Sequence, residues 1–234
     1  MIDLQRDGDV FVLKLDGGEN RFRPDNLAEI SRALDEVEAT VGTAGAPAAL
    51  VTTGSGKFYS NGLDLDWMQG EESERRREYM SSVLGLFGRT LAFPTVTVAA
   101  MNGHAFGAGA QWALAHDYRV MREDRGYFCM PEIDMKSPLH PGMTAVIQAR
   151  LPHQTAHEVI AFGKRYPAEE ALQRKIVDEV APEAEVVKRA VILAASLASK
   201  AHPVMTALKR GMYEDALSIL EGDAAAKPPR TDPL

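Results

Sequence analysis

The sequence predicts an α/β core followed by a helical C-terminal part. Three observations carry this expectation. Runs of strand-forming residues, such as 10–15, 48–53 and 95–101, fall before about residue 130. After Pro141 apolar residues instead recur at helical spacing. Two glycine-rich stretches, 54–62 and 102–109, each follow an apolar strand run, which places turns at strand ends.

Residues 3–15 read as a hairpin, with Asp7-Gly8-Asp9 as its turn. Gly17-Gly18-Glu19-Asn20 breaks the pattern, and Arg21-Phe22-Arg23-Pro24 continues as an extended loop with two positive charges. Pro24-Asp25-Asn26 starts an amphipathic helix, in which Leu27, Ile30, Leu34, Val37 and Val41 repeat at spacings of three and four. Residues 48–53 form a buried strand and 54–65 a loop. Residues 71–91 form a long helix whose charged start, 71–78, reads as a solvated face. Pro94 stops it. The strand 95–101 then runs into glycines that open a helix, and 118–121 and 126–130 give two more strands. Shorter helices follow within 144–172, then two longer ones, about 183–199 and 203–220. The expected division is a core over 1–180, a helical part over 181–221 and a loosely ordered tail over 222–234.

The chain has 234 residues, 45% hydrophobic and 25% charged, enough for a substantial core. Its formal net charge of −7 argues against a nucleic-acid partner. An anionic ligand would need local arginines, lysines or helix ends. A lone cysteine, Cys129, allows no disulfide within the chain, so a reducing cytoplasmic setting is expected. No signal peptide or membrane-spanning run is expected, and the end Asp232-Pro233-Leu234 is not a Ser-Lys-Leu address. His153 and His157 are four apart but lack a third ligand, so no metal is expected.

The chemistry concentrates in two stretches. In Asn102-Gly103-His104-Ala105-Phe106-Gly107-Ala108-Gly109 a strand gives way to a helix through glycines. Glycine admits close approach of backbone to a ligand, and a helix start offers free N–H groups with positive dipole. Together they make a seat for an oxygen carrying negative charge. In Phe128-Cys129-Met130-Pro131-Glu132-Ile133 a carboxylate sits among apolar neighbours, the setting of a tuned base.

Residues 102–110 and 130–133 from these stretches, with 57–65 (Lys-Phe-Tyr-Ser-Asn-Gly-Leu-Asp-Leu) and 162–172 followed by 176–180, give the chain a resemblance to the enoyl-CoA hydratase/isomerase (crotonase) superfamily. Four segments match in the family's order over about residues 3–220. The resemblance implies a spiral of β-β-α units, a helical C-terminal trimerisation part giving a homotrimer or hexamer, and an acyl-CoA thioester as ligand. Coenzyme A would enter as part of the substrate, with no other cofactor. It also implies an oxyanion hole made by the backbone N–H groups of Leu63 and Ala108, with Asn61, Gly62, Leu65 and Gly107 around it. Glu132 corresponds to one of the two glutamates of the hydratases. Gln111 stands at the other and would face the bound group, yet an amide cannot accept a proton from water. That favours the branch moving a double bond from 3-enoyl-CoA to trans-2-enoyl-CoA with a single glutamate. A hydratase, a CoA-thioester hydrolase and a non-catalytic acyl-CoA-binding subunit are the alternatives. Met143-Thr144-Ala145-Val146 and Lys175 depart from the family pattern.

Arg21 and Arg23 are candidates for the CoA phosphates, with Lys57, Lys209 and Arg210 as weaker ones. Phe58, Trp67, Met68, Leu84 and Phe87 fit either an acyl tunnel or plain core. Cys129 reads as a buried spectator.

Overall fold

A six-stranded sheet forms one wall of the molecule in the computed structural model, which describes residues 1–222. The expected tail lies outside the described residues apart from Gly222. Strand β1 (Ile2–Asp7) pairs antiparallel with β2 (Val10–Leu15), the expected hairpin. Beyond it β3 (Ala49–Gly54), β5 (Val96–Met101), β7 (Tyr118–Arg122) and β9 (Glu179–Ala181) add in parallel, in the order β1-β2-β3-β5-β7-β9. Every residue of β3 and β5 is buried, as expected of parallel strands covered on both faces. β9 lies beyond the expected strand region. At three residues it shows no alternation to read.

A second sheet holds only β4 (Phe58–Ser60), β6 (His104–Phe106) and β8 (Phe128–Cys129). The first two fall in stretches read from sequence as loops, because strands this short carry no period. With them the chain repeats a long strand, a second strand and a helix. The hairpin leads to α1 (Pro24–Val41). β3 and β4 lead to α2 (Leu65–Gln69) and α3 (Ser73–Leu91). β5 and β6 lead to α4 (Ala108–Ala115), and β7 and β8 to α5 (Pro141–Arg150). This is the β-β-α spiral.

Helix α4 is apolar on every side and wholly buried, so it runs through the interior. Trp112 on it donates to Thr90 Oγ1 of α3 at 3.0 Å and meets Phe22 edge-on at 5.7 Å. After α6 (His153–Phe162) and α7 (Ala168–Gln173) comes α8 (Val186–Leu197), lying flat on the outer face of the large sheet. Val186, Ala190, Ala194 and Ala198 meet Val10, Val51, Val98 and Val120 there; alanines at every fourth position let the helix sit close.

The last expected helix is two: α9 (Pro203–Met212) and α10 (Glu214–Glu221), broken at Tyr213. Lys209 is not available to a ligand. It is buried, donates to Thr95 O at 3.0 Å and pairs with Asp117 at 2.7 Å.

Candidate active site

Strands β4 and β6 run parallel, with Phe58 beside His104 and Ser60 beside Ala105. The loops leaving them, Asn61-Gly62-Leu63 and Gly107-Ala108-Gly109, therefore emerge side by side. Several bonds fix the first loop. Phe22 N donates to Gly62 O at 2.7 Å, Asn61 N to Glu19 O at 2.9 Å, and Gly62 N to Ser60 Oγ at 3.1 Å. Gly62 has φ +80°, and a Cβ there would lie 2.8 Å from Ala108 N. Only glycine lets the two loops approach this closely. Gly107, at φ +50°, turns the chain into α4. Ala108 opens that helix, so its N–H has no acceptor one turn back.

Both loops open on a cavity of about 640 Å³. Leu63, Gly107, Ala108 and Glu132 line it, with apolar walls from Leu65, Met68, Met80, Leu139 and Met143. Glu132 follows Pro131 in the turn after β8, held by Ser137 N donating to Glu132 O at 3.0 Å. Its Oε1 lies 3.7 Å from where a Gly107 Cβ would stand. Its Oε2 is buried without a hydrogen-bond partner. Burial raises the carboxyl above the usual carboxylate range, opposed only by a backbone hydrogen bond. The cavity's other acid, Asp66, is exposed and pairs with Arg21 at 2.7 Å. The arrangement thus places one carboxylate without an ion pair, its Oε2 buried and unpartnered, in the same cavity as two glycine-flanked N–H positions.

The chain matches the enoyl-CoA hydratase/isomerase family over residues 5–226. It is 36% identical over 231 residues to the peroxisomal enoyl-CoA delta isomerase 2 of Arabidopsis thaliana, covering 94% of this chain and 95% of that relative. Enoyl-CoA delta isomerase 3 of the same plant is 35% identical over 230 residues, with the same coverage. This chain belongs to the enoyl-CoA hydratase/isomerase family. The apo structure of a Mycobacterium tuberculosis enoyl-CoA isomerase superposes with a TM-score of 0.85 at 24% identity, covering 96% of this chain and 95% of that one. A family protein from Pseudomonas syringae also gives 0.85, at 23% identity and 94% coverage of both chains. At that identity these two likenesses speak for the fold, which is the crotonase spiral.

Several candidate positions named from the sequence come together at this cavity: Arg21, Asn61, Leu63, Leu65, Gly107, Ala108 and Glu132 all line it. Gly62 stands behind, as the spacer between the loops. Gln111 is not in the lining. It is fully buried on α4, with Nε2 3.7 Å from Met130 Sδ and Oε1 without a partner. Arg23 is also outside, pairing with Asp64 at 3.5 Å and Asp25 at 3.7 Å. Arg21 lines the cavity but is engaged by Glu19 and Asp66, both at 2.7 Å, and by Asp64 at 3.4 Å. Arg210 is paired with Glu221. Of the tunnel candidates only Met68 reaches the cavity. Leu84 and Phe87 are core, Phe58 packs on His104, and Trp67 packs on Tyr79. Cys129 is buried, donates to Gly163 O, and is pushed up to about 11 by burial. Among the described residues no group of three or more His, Cys, Asp or Glu is placed to hold a metal.

Sequence reading missed the α3 contribution. Ser73, Arg76, Arg77 and Met80 line the cavity. Their i, i+3, i+4, i+7 spacing marks one helix face, but three of the four lie within or beside the charged run read as solvated.

Proposed function

We propose that this protein is an enoyl-CoA isomerase that converts 3-enoyl-CoA to trans-2-enoyl-CoA. The observation carrying the reading is Glu132: a carboxylate without an ion pair, raised by burial, in one cavity with the backbone N–H groups of Leu63 and Ala108. The names of the Arabidopsis relatives support it.

In this reading the thioester carbonyl oxygen sits between Leu63 N–H and Ala108 N–H. Glu132 takes a proton from C2. The C–H electron pair becomes the new C1=C2 bond, and the carbonyl π pair moves onto oxygen. That oxygen carries the dienolate charge, which the two fixed donors stabilise more in the transition state than in the ground state. The carbonyl then re-forms, C2=C3 forms, and C4 takes the proton back from Glu132. No atom is gained or lost, so one carboxylate suffices. Hydration would need a second group to handle the proton of water. Asp66 is tied to Arg21, and Gln111 is a buried amide outside the cavity lining.

The test is a panel of 3-enoyl- and 2-enoyl-CoA thioesters with hydroxyacyl-CoA separated from isomer. Isomerisation is expected to exceed hydration by a wide margin. Glu132→Gln is expected to lower kcat about a thousandfold while leaving thioester binding nearly intact. Hydration as fast as isomerisation, or wild-type turnover by the variant, overturns the reading.

A further inference from the structure

The N-terminal arginines that the sequence offers for an anionic ligand are already neutralised. Arg21 faces three carboxylates, and Arg23 lies outside the cavity beside two. Free positive charge sits on another wall. Helix α3 carries three consecutive arginines with different fates. Arg75 turns away, pairs with Glu71 at 2.7 Å and lies over Trp67. Arg76 and Arg77 turn to the cavity on the same face as Ser73 and Met80. Both are exposed, and neither side chain has an ion pair or hydrogen bond among the described residues. Each guanidinium presents a planar fork of donors suited to carboxylate or phosphate oxygens.

We propose that Arg76 and Arg77 bind an anionic group of the acyl-CoA ligand and so set which thioesters this site prefers. The inference rests on the acyl-CoA reading above. Two parts of such a ligand share the required chemistry: the phosphates of coenzyme A, and a carboxylate at the far end of the acyl chain. The same α3 face passes from Arg76 and Arg77 to Met80, so one helix supplies charged and apolar contacts to a single ligand.

Three saturated thioesters, which cannot isomerise, separate the possibilities by titration calorimetry. Hexanoyl-pantetheine carries no anion, hexanoyl-CoA carries the phosphates, and adipoyl-pantetheine carries a carboxylate on the acyl end. Arg76→Gln/Arg77→Gln is expected to bind at least one charged ligand about tenfold or more weakly, since hydrogen bonds to charged groups are the strong ones. Its affinity for hexanoyl-pantetheine stays unchanged, which also shows that the site remains folded. Glutamine is a good helix former, so α3 is preserved. Arg75→Gln, which alters a paired residue off the cavity, leaves all three affinities unchanged. Loss confined to hexanoyl-CoA assigns the phosphates; loss confined to adipoyl-pantetheine assigns an acyl-end carboxylate. Equal changes for all three ligands, or none, overturn the arginine assignment. An unsubstituted protein that binds none of the three overturns the acyl-CoA reading itself.

Discussion

Burial disfavours the charged form of Glu132, and that has a sign that can be measured. Its folded pKa lies above the ordinary glutamate value of about 4.3. Below that value folded and unfolded chains are both protonated, and the carboxyl contributes no pH-dependent difference. As pH rises through the unfolded and then the folded pKa, the unfolded chain ionises first, so stability falls. Glu132→Gln is therefore expected to be more stable than the natural protein at pH 7.5, with the gap closing towards pH 4. Denaturant midpoints at the two pH values check it, and a variant less stable at pH 7.5 contradicts it. In the proposed reaction activity runs the other way: the acidic limb of kcat/KM is expected above the ordinary carboxylate range, because only an ionised Glu132 would accept the C2 proton. At this scale Glu132, Leu63 and Ala108 were legible, since each sits inside a local signature of glycine or proline. Arg76, Arg77 and the burial of Gln111 and Lys209 were not. Which way a side chain faces depends on how its helix is packed, and no local pattern states that.

Among elements, the active loops depend on two three-residue strands too short for the sequence to announce. β4 and β6 bring the loops 61–63 and 107–109 together, and Gly62 sets their separation. Gly62→Ala places a methyl group 2.8 Å from Ala108 N and holds alanine at φ +80°. The backbone must shift, and an L-residue in this conformation is strained by about 1–2 kcal/mol. If the two N–H groups hold the oxyanion as proposed, they act only when correctly placed, so kcat is expected to fall at least tenfold, with KM changed less. A folded Gly62→Ala protein with natural kcat would show that the loop spacing does not matter. The longer elements were legible because apolar period and punctuation agree, as in α1 with Pro24 at its start and Gly42 at its end. The break at Tyr213 was not, because apolar spacing continues across it into Leu217 and Leu220.

For the whole molecule, α9 raises a question that the single chain does not answer. One face turns inward through Lys209 to Asp117 and Thr95. Val204, Leu208 and Met212 form a stripe at four-residue spacing on the side left in solvent, 54%, 65% and 72% exposed. Ile192 on α8 is 60% exposed as well. Scattered apolar residues on a surface are ordinary, but three in register on a helix otherwise anchored by the Lys209–Asp117 ion pair mark a face suited to covering. We expect a second copy to cover it, in a homotrimer or a dimer of trimers. Light scattering at micromolar concentration is expected to give a multiple of three chains. Leu208→Glu, which puts a charge in the middle of the stripe, is expected to shift the protein to smaller species. It should leave the fold intact, because the side chain makes no contribution to the core. A natural protein that is monomeric at that concentration, or a Leu208→Glu variant that assembles as before, removes α9 from the interface.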